Sequence, residues 1–206
     1  MKKILIGGIG NILLGDDGVG PYVARLLEAH FDFEDGVEVA DLGTPALDLI
    51  DKLTAKDAVI LIDSVTTECT EADAGAVVLY RKADIMRHRP AVRMDPHSPA
   101  LVDALLSAEL FGVAPADVLL VGIAGASYEA GCSLSKPVKA SLEEAIAEVL
   151  NELDYLGVGY QWRKPPAELD IWWENFGVEH KTEHNNCRQW ADGPPCRKEM
   201  TLAPQA

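Results

Sequence analysis

The chain has 206 residues, 48% hydrophobic and 25% charged, which suits one globular domain able to close its own core and excludes collagen-like, mucin-like and wholly disordered chains. Acidic side chains outnumber basic ones 33 to 18, for a formal charge of −15, so a phosphate-binding surface has the whole field against it and no nucleic acid is expected as partner. The apolar runs stop short of the roughly 18 uninterrupted residues of a transmembrane helix, and Met1-Lys2-Lys3 leads into a glycine-rich turn rather than a signal peptide, so no membrane partner and a cytoplasmic location are expected.

Ile4–Ile9 is an apolar run punctuated by Gly7, Gly8 and Gly10 and predicts the first strand. Val19–His30 follows as a helix, with Val23, Leu26 and Leu27 on one face and Pro21 tolerated in the first turn because its missing N–H has no partner there. Val37–Leu42 predicts a second strand, Pro45–Leu53 a short amphipathic helix, and Ala58–Ile62 a central strand covered on both sides. Ala76–Tyr80 is a further strand, Pro99–Phe111 a helix on the spacing of Leu101, Leu105, Leu106 and Leu110, and Val118–Ile123 a buried strand. Lys136–Leu156 predicts one long closing helix with Leu142, Ile146, Val149 and Leu153 inward. The alternation gives an α/β fold, a three-layer α/β/α sandwich around a twisted sheet of about five strands.

Near Gly157 the composition changes. Residues 1–156 carry 12 basic and 26 acidic side chains, whereas 157–206 carry 6 and 7, together with all four tryptophans and no sustained apolar period. The expected division is therefore a domain over 1–156 and a Trp- and Cys-containing, flexible C-terminal extension over 157–206. Cys69, Cys132, Cys187 and Cys196 form no CxxC pair and are too sparse for a disulfide scaffold, which predicts reduced thiols.

Ligands of open α/β sheets gather at the carboxyl ends of strands. Three polar groups fall there: Asn11, Asp16 and Asp17 after the first strand, Asp63-Ser64 after the central run, and His97 within Asp95-Pro96-His97-Ser98-Pro99. Two carboxylates and an imidazole suit a divalent transition ion and leave coordination positions open for water or substrate. The same residues also suit plain structure, with Asp17 capping the helix near Val19, Asp63 capping a turn and His97 in an ordinary loop, and spacing alone leaves both readings open. Gly8-Ile9-Gly10 invites comparison with a dinucleotide loop, but the third glycine position is Leu13 and Asp16 and Asp17 would repel a pyrophosphate. Asn11 is expected to fix the glycine loop by donating a side-chain hydrogen bond.

The run Gly8-Ile9-Gly10-Asn11-Ile12-Leu13-Leu14-Gly15-Asp16-Asp17-Gly18-Val19-Gly20 resembles the N-terminal signature of the nickel–iron hydrogenase maturation endopeptidases. Asp41-Leu42-Gly43-Thr44 is similar to the family's D-x-G-T loop, and Ile62-Asp63-Ser64, Pro96-His97 and Leu119–Gly122 extend the likeness over residues 2 to about 155. The resemblance implies a metal-dependent or aspartyl-type endopeptidase that removes a C-terminal peptide from a hydrogenase large-subunit precursor after nickel insertion, the nickel arriving with the precursor. It assigns Asp17, Asp63 and His97 as metal-contacting and catalytic residues and leaves Gly43 and Thr44 to shape the substrate groove or to form a plain strand-to-helix turn. Many members carry Glu where this chain has Asp17, a side chain shorter by about 1.5 Å; Asp16 is then a reserve ligand, expected to act first as a turn or helix-start acid.

A nickel-sensing chaperone of hydrogenase assembly would use the same three residues without cleavage, whereas a self-contained zinc hydrolase lacks an HExxH or a fourth fixed ligand. In the extension, His180, His184, Cys187 and Cys196 have the chemistry of a tetrahedral zinc site in an unusual order, and Trp172-Trp173 are anchors suited to docking on a partner or on the body.

Overall fold

The apolar runs become the strands of one sheet. The computed structural model describes residues 1–45, 48–65, 74–88, 101–131, 133–171 and 173. Strands β1 (Ile4–Ile9), β3 (Val37–Gly43), β4 (Ala58–Val65), β5 (Val77–Arg81) and β6 (Asp117–Ala124) assemble in the order β3-β1-β4-β6-β5. The first four are parallel, and β5 closes the edge antiparallel to β6. All eight residues of β4 are buried, as expected of a strand with neighbours on both edges and helices on both faces.

Alternation along β4 sorts the core into two halves. Ala58, Ile60 and Ile62 face α1 (Val19–His30), α5 (Lys136–Ala140) and α6 (Leu142–Leu156), while Val59, Leu61 and Val65 face α2 (Asp48–Leu53), α3 (Lys82–His88) and α4 (Leu101–Leu110). The three-layer α/β/α architecture is thus as the pattern predicts, each buried Ile or Leu contributing on the order of 1.5–3 kcal/mol of burial.

Several boundaries differ from the pattern. The central strand runs on from Ile62 to Val65, carrying Asp63 and Ser64 inside the ladder opposite Gly122 and Ile123. The single helix expected over 136–156 is two, because at Ser141 the bonding tightens by one residue: both its N–H and its hydroxyl donate to the Val138 carbonyl, at 3.2 and 2.9 Å. The apolar spacing continues across that break. Helix α6 ends at Gly157, whose φ of 69° is left-handed and whose N–H returns to Asp154. Residues 46–47 and 99–100, at the starts of two expected helices, lie outside the described residues.

Packed structure continues beyond Leu156. Strand β7 (Tyr160–Trp162) pairs antiparallel with β2 (Phe31–Phe33) at the carboxyl end of α1, and Val158, Ile171 and Trp173 are buried in the α1/α6 half of the core. Phe31 and Trp162 approach ring to ring at 4.5 Å, and the Arg163 guanidinium holds Asp32 at 2.8 Å. Trp172 and residues 174–206, with the expected zinc series and the rest of the extension, lie outside the described residues. None of the described helices is long and apolar enough to cross a membrane.

Candidate functional site

The carboxyl ends of β1 and β4 meet the start of α1 closely enough to exclude side chains. A Cβ on Gly20 would run into the carbonyl oxygens of Ile9 and Ile62, and one on Gly8 into the Gly20 carbonyl. Gly10, at φ 138°, leaves room for the Asp17 carbonyl, and its N–H donates to Gly43 at 2.7 Å, tying the ends of β1 and β3 together. The glycine motif is therefore a packing device that lowers α1 onto the strand ends.

Between β1 and α1 the chain makes a short 3-10 turn over Gly15–Gly18. Asn11 accepts, through its side-chain oxygen, a hydrogen bond from Leu13 N at 3.0 Å; it fixes the loop as an acceptor rather than by the expected donation. Asp17 accepts from Asn11 N at 3.0 Å through Oδ2, folding the turn back on itself. Gly18, not Asp17, is the N-cap of α1, and no side chain caps that helix.

Asp16 is wholly buried, and both its oxygens are engaged. Oδ2 accepts from Ala126 N and Ser127 N at 2.7 and 2.9 Å, and Oδ1 from Ser135 N at 2.6 Å. It is an acid of the turn, as expected, but its bonds go to the segment after β6, more than a hundred residues away, so the reserve ligand is committed to backbone.

Asp63 is 5% exposed, and its Oδ1 accepts from Ser64 N at 2.7 Å. Burial pushes its carboxyl well above the usual carboxylate range, the negative charge of Asp17 adds to the rise, and the Ser64 N–H opposes it. Asp17 and Asp63, chosen on strand-end logic, thus face one another electrostatically. His97 lies outside the described residues, and among those described no cluster of three His, Cys, Asp or Glu is placed to hold a metal ion. Gly43 makes an Asx turn, its N–H donating to Asp41 Oδ1 at 2.9 Å with φ 58°, and Thr44 beside it is exposed.

One neighbour has no signal in the sequence pattern. The hydroxyl of Tyr128, from the loop after β6, sits 2.9 Å from Ser64 Oγ, one residue beyond Asp63. Ser64 is named with Asp63 at the strand end, but nothing near residue 128 marks the tyrosine.

The three-layer α/β/α fold, with its parallel strands ending beside Asp17 and Asp63, gives the architecture, and comparison with known proteins gives the family. The profile of the hydrogenase maturation proteases matches residues 21–152, and the chain belongs to that family of peptide-bond hydrolases. It is similar to the hydrogenase expression/formation protein HupM of Azotobacter chroococcum mcd 1, 36% identical over 81% of this chain and 78% of the relative. The hydrogenase 2 maturation protease of Escherichia coli K12 is 30% identical over 76% of this chain and 93% of its own. Among solved structures, the hydrogenase maturating endopeptidase HybD from E. coli superposes with a TM-score of 0.72 at 29% identity, covering 79% of this chain and 98% of that one.

Proposed function

We propose that this protein removes the C-terminal peptide of a nickel–iron hydrogenase large-subunit precursor after nickel insertion, with the precursor's nickel as the recognised feature. The observation that carries the reading is the pairing of acids: the Asp63 carboxylate is buried where the Asp17 charge already disfavours it. A divalent ion offsets both penalties at once, so the two side chains are poised for a cation that arrives from outside. Asp17 and Asp63 supply hard oxygens and His97 a borderline nitrogen, a donor set suited to nickel already held by precursor thiolates. Coordination then places the scissile bond at the site only in a loaded precursor.

The chemistry is addition of water across one amide. The water oxygen bonds to the carbonyl carbon, the C–N bond breaks, and the water proton passes by way of an Asp oxygen to the leaving amine, while the ion polarises the carbonyl or the water. Gly43 and Thr44, at the exposed end of β3, border the groove for the precursor. The large net negative charge favours a neutral or basic contact region on that partner.

The test is the mass of a cognate precursor incubated with wild type or His97→Ala, with and without nickel. The expected outcome is loss of a C-terminal peptide only with nickel and wild type. Binding without shortening would make the chain a nickel-sensing chaperone, and cleavage of nickel-free precursor would indicate a self-sufficient zinc hydrolase; either overturns the proposal.

A further inference from the structure

We propose that Tyr128 is a specificity-determining residue for the precursor, its ring forming one wall of the site and its hydroxyl tethering that ring to the strand that carries Asp63. The inference rests on the proposed action on a precursor chain. The phenol oxygen lies 2.9 Å from Ser64 Oγ, and the phenol tip rests on bare backbone at Gly125, where an added Cβ would fall 2.6 Å from Tyr128 Cζ and 3.0 Å from Ser64 Oγ. Tyr128 is half-buried, whereas its partner Ser64 is 1% exposed, so the side chain is held against the buried strand end while part of it meets solvent.

What makes the ring a fixed wall is the anchoring of its loop. Asp16 takes the N–H groups of Ala126 and Ser127 just before Tyr128 and that of Ser135 beyond it. Asp16 N donates in return to the Ser127 carbonyl at 2.9 Å, and Gly131 N donates to the Leu13 carbonyl at 2.9 Å. The backbone on either side of Tyr128 is thus tied to the turn that carries Asp17. An amphipathic aromatic with few rotatable bonds, set on a rigid support beside a reaction site, is the kind of residue that contributes most to recognition.

The test measures both precursor affinity and cleavage, on wild type, Tyr128→Leu and Tyr128→Phe, with melting temperature as the check on folding. Tyr128→Leu is expected to weaken Kd and raise KM about tenfold with kcat within about threefold, and Tyr128→Phe, which keeps the ring but loses its tether to Ser64, to fall between Tyr128→Leu and wild type, about threefold weaker than wild type in Kd and KM. Unchanged Kd in Tyr128→Leu, or loss confined to kcat and melting temperature, overturns the inference and leaves the protease reading intact. Binding by wild type without cleavage fails the protease reading while Kd still decides the role of Tyr128; no binding by wild type overturns both.

Discussion

The two ends of helix α1 are built on opposite principles. At its amino end, bare glycine backbone brings the helix onto the strand ends, and polar groups are satisfied by backbone N–H groups reaching the Asp16 and Asp17 carboxylates. At its carboxyl end, Phe31, Phe33, Tyr160 and Trp162 pack ring against ring, and His30 lies edge-on to Trp162. One end buries charge at a cost, and the other buries carbon at a gain. The difference teaches where stability and chemistry reside: the aromatic end helps to offset the cost of burying the Asp63 carboxyl.

Substitutions sharpen that contrast. The largest effect is expected at the amino end, where Gly20→Ala drives a Cβ into two carbonyl oxygens of a doubly paired sheet that has no slack. A loss of more than about 4 kcal/mol, seen as insoluble chain or a Tm drop of more than roughly 8–16 °C, is expected; a melting curve like that of wild type would show the helix free to ride up. At the carboxyl end Phe31→Ala, at a site 2% exposed, is expected to cost about 3 kcal/mol and lower Tm by roughly 6–12 °C. Its kcat, measured below the transition, stays that of wild type, and a fall in kcat would break the separation of the two ends.

The smallest effect carries the opposite sign. Because folding raises the Asp63 pKa, ionising it removes stability as pH climbs from the ordinary carboxylate range through the folded value. Asp63→Asn stays neutral throughout, so it is expected to melt above wild type at pH 8, to converge with it near about pH 4, and to cleave nothing. Tm measured against pH on both proteins checks this, and a gap independent of pH would mean that the charge of Asp63 is not what the fold resists.

Most of the sheet is legible in the sequence because β1, β3, β4 and β6 are each apolar enough to declare themselves. The three-residue strands β2 and β7 are not, since neither has room for a period and each exists only by virtue of its partner. Helix α3 escapes the pattern too: its seven residues bury one apolar side chain, Ile85. At the site, Asp17 and Asp63 are found by their positions after apolar runs, and Gly20 by its place in the motif. Asp16 and Tyr128 act across long separations, Asp16 toward residues 126, 127 and 135 and Tyr128 toward Ser64. Chain geometry brings those partners together, and no local spacing encodes them.

The ladder between β2 and β7 also sets a schedule. Asp32 and Arg163 are 131 residues apart, so a ribosome adding about 5–20 residues per second needs roughly 7–26 s to supply the second partner after the first. Throughout that interval Phe31 and Phe33 are synthesised but their β7 counterparts are not. The growing polypeptide thus carries an aromatic edge whose cover is made only after all five strands of the main sheet, and completion of the packed core is timed by the emergence of residues past Trp162 rather than by the closing of that sheet.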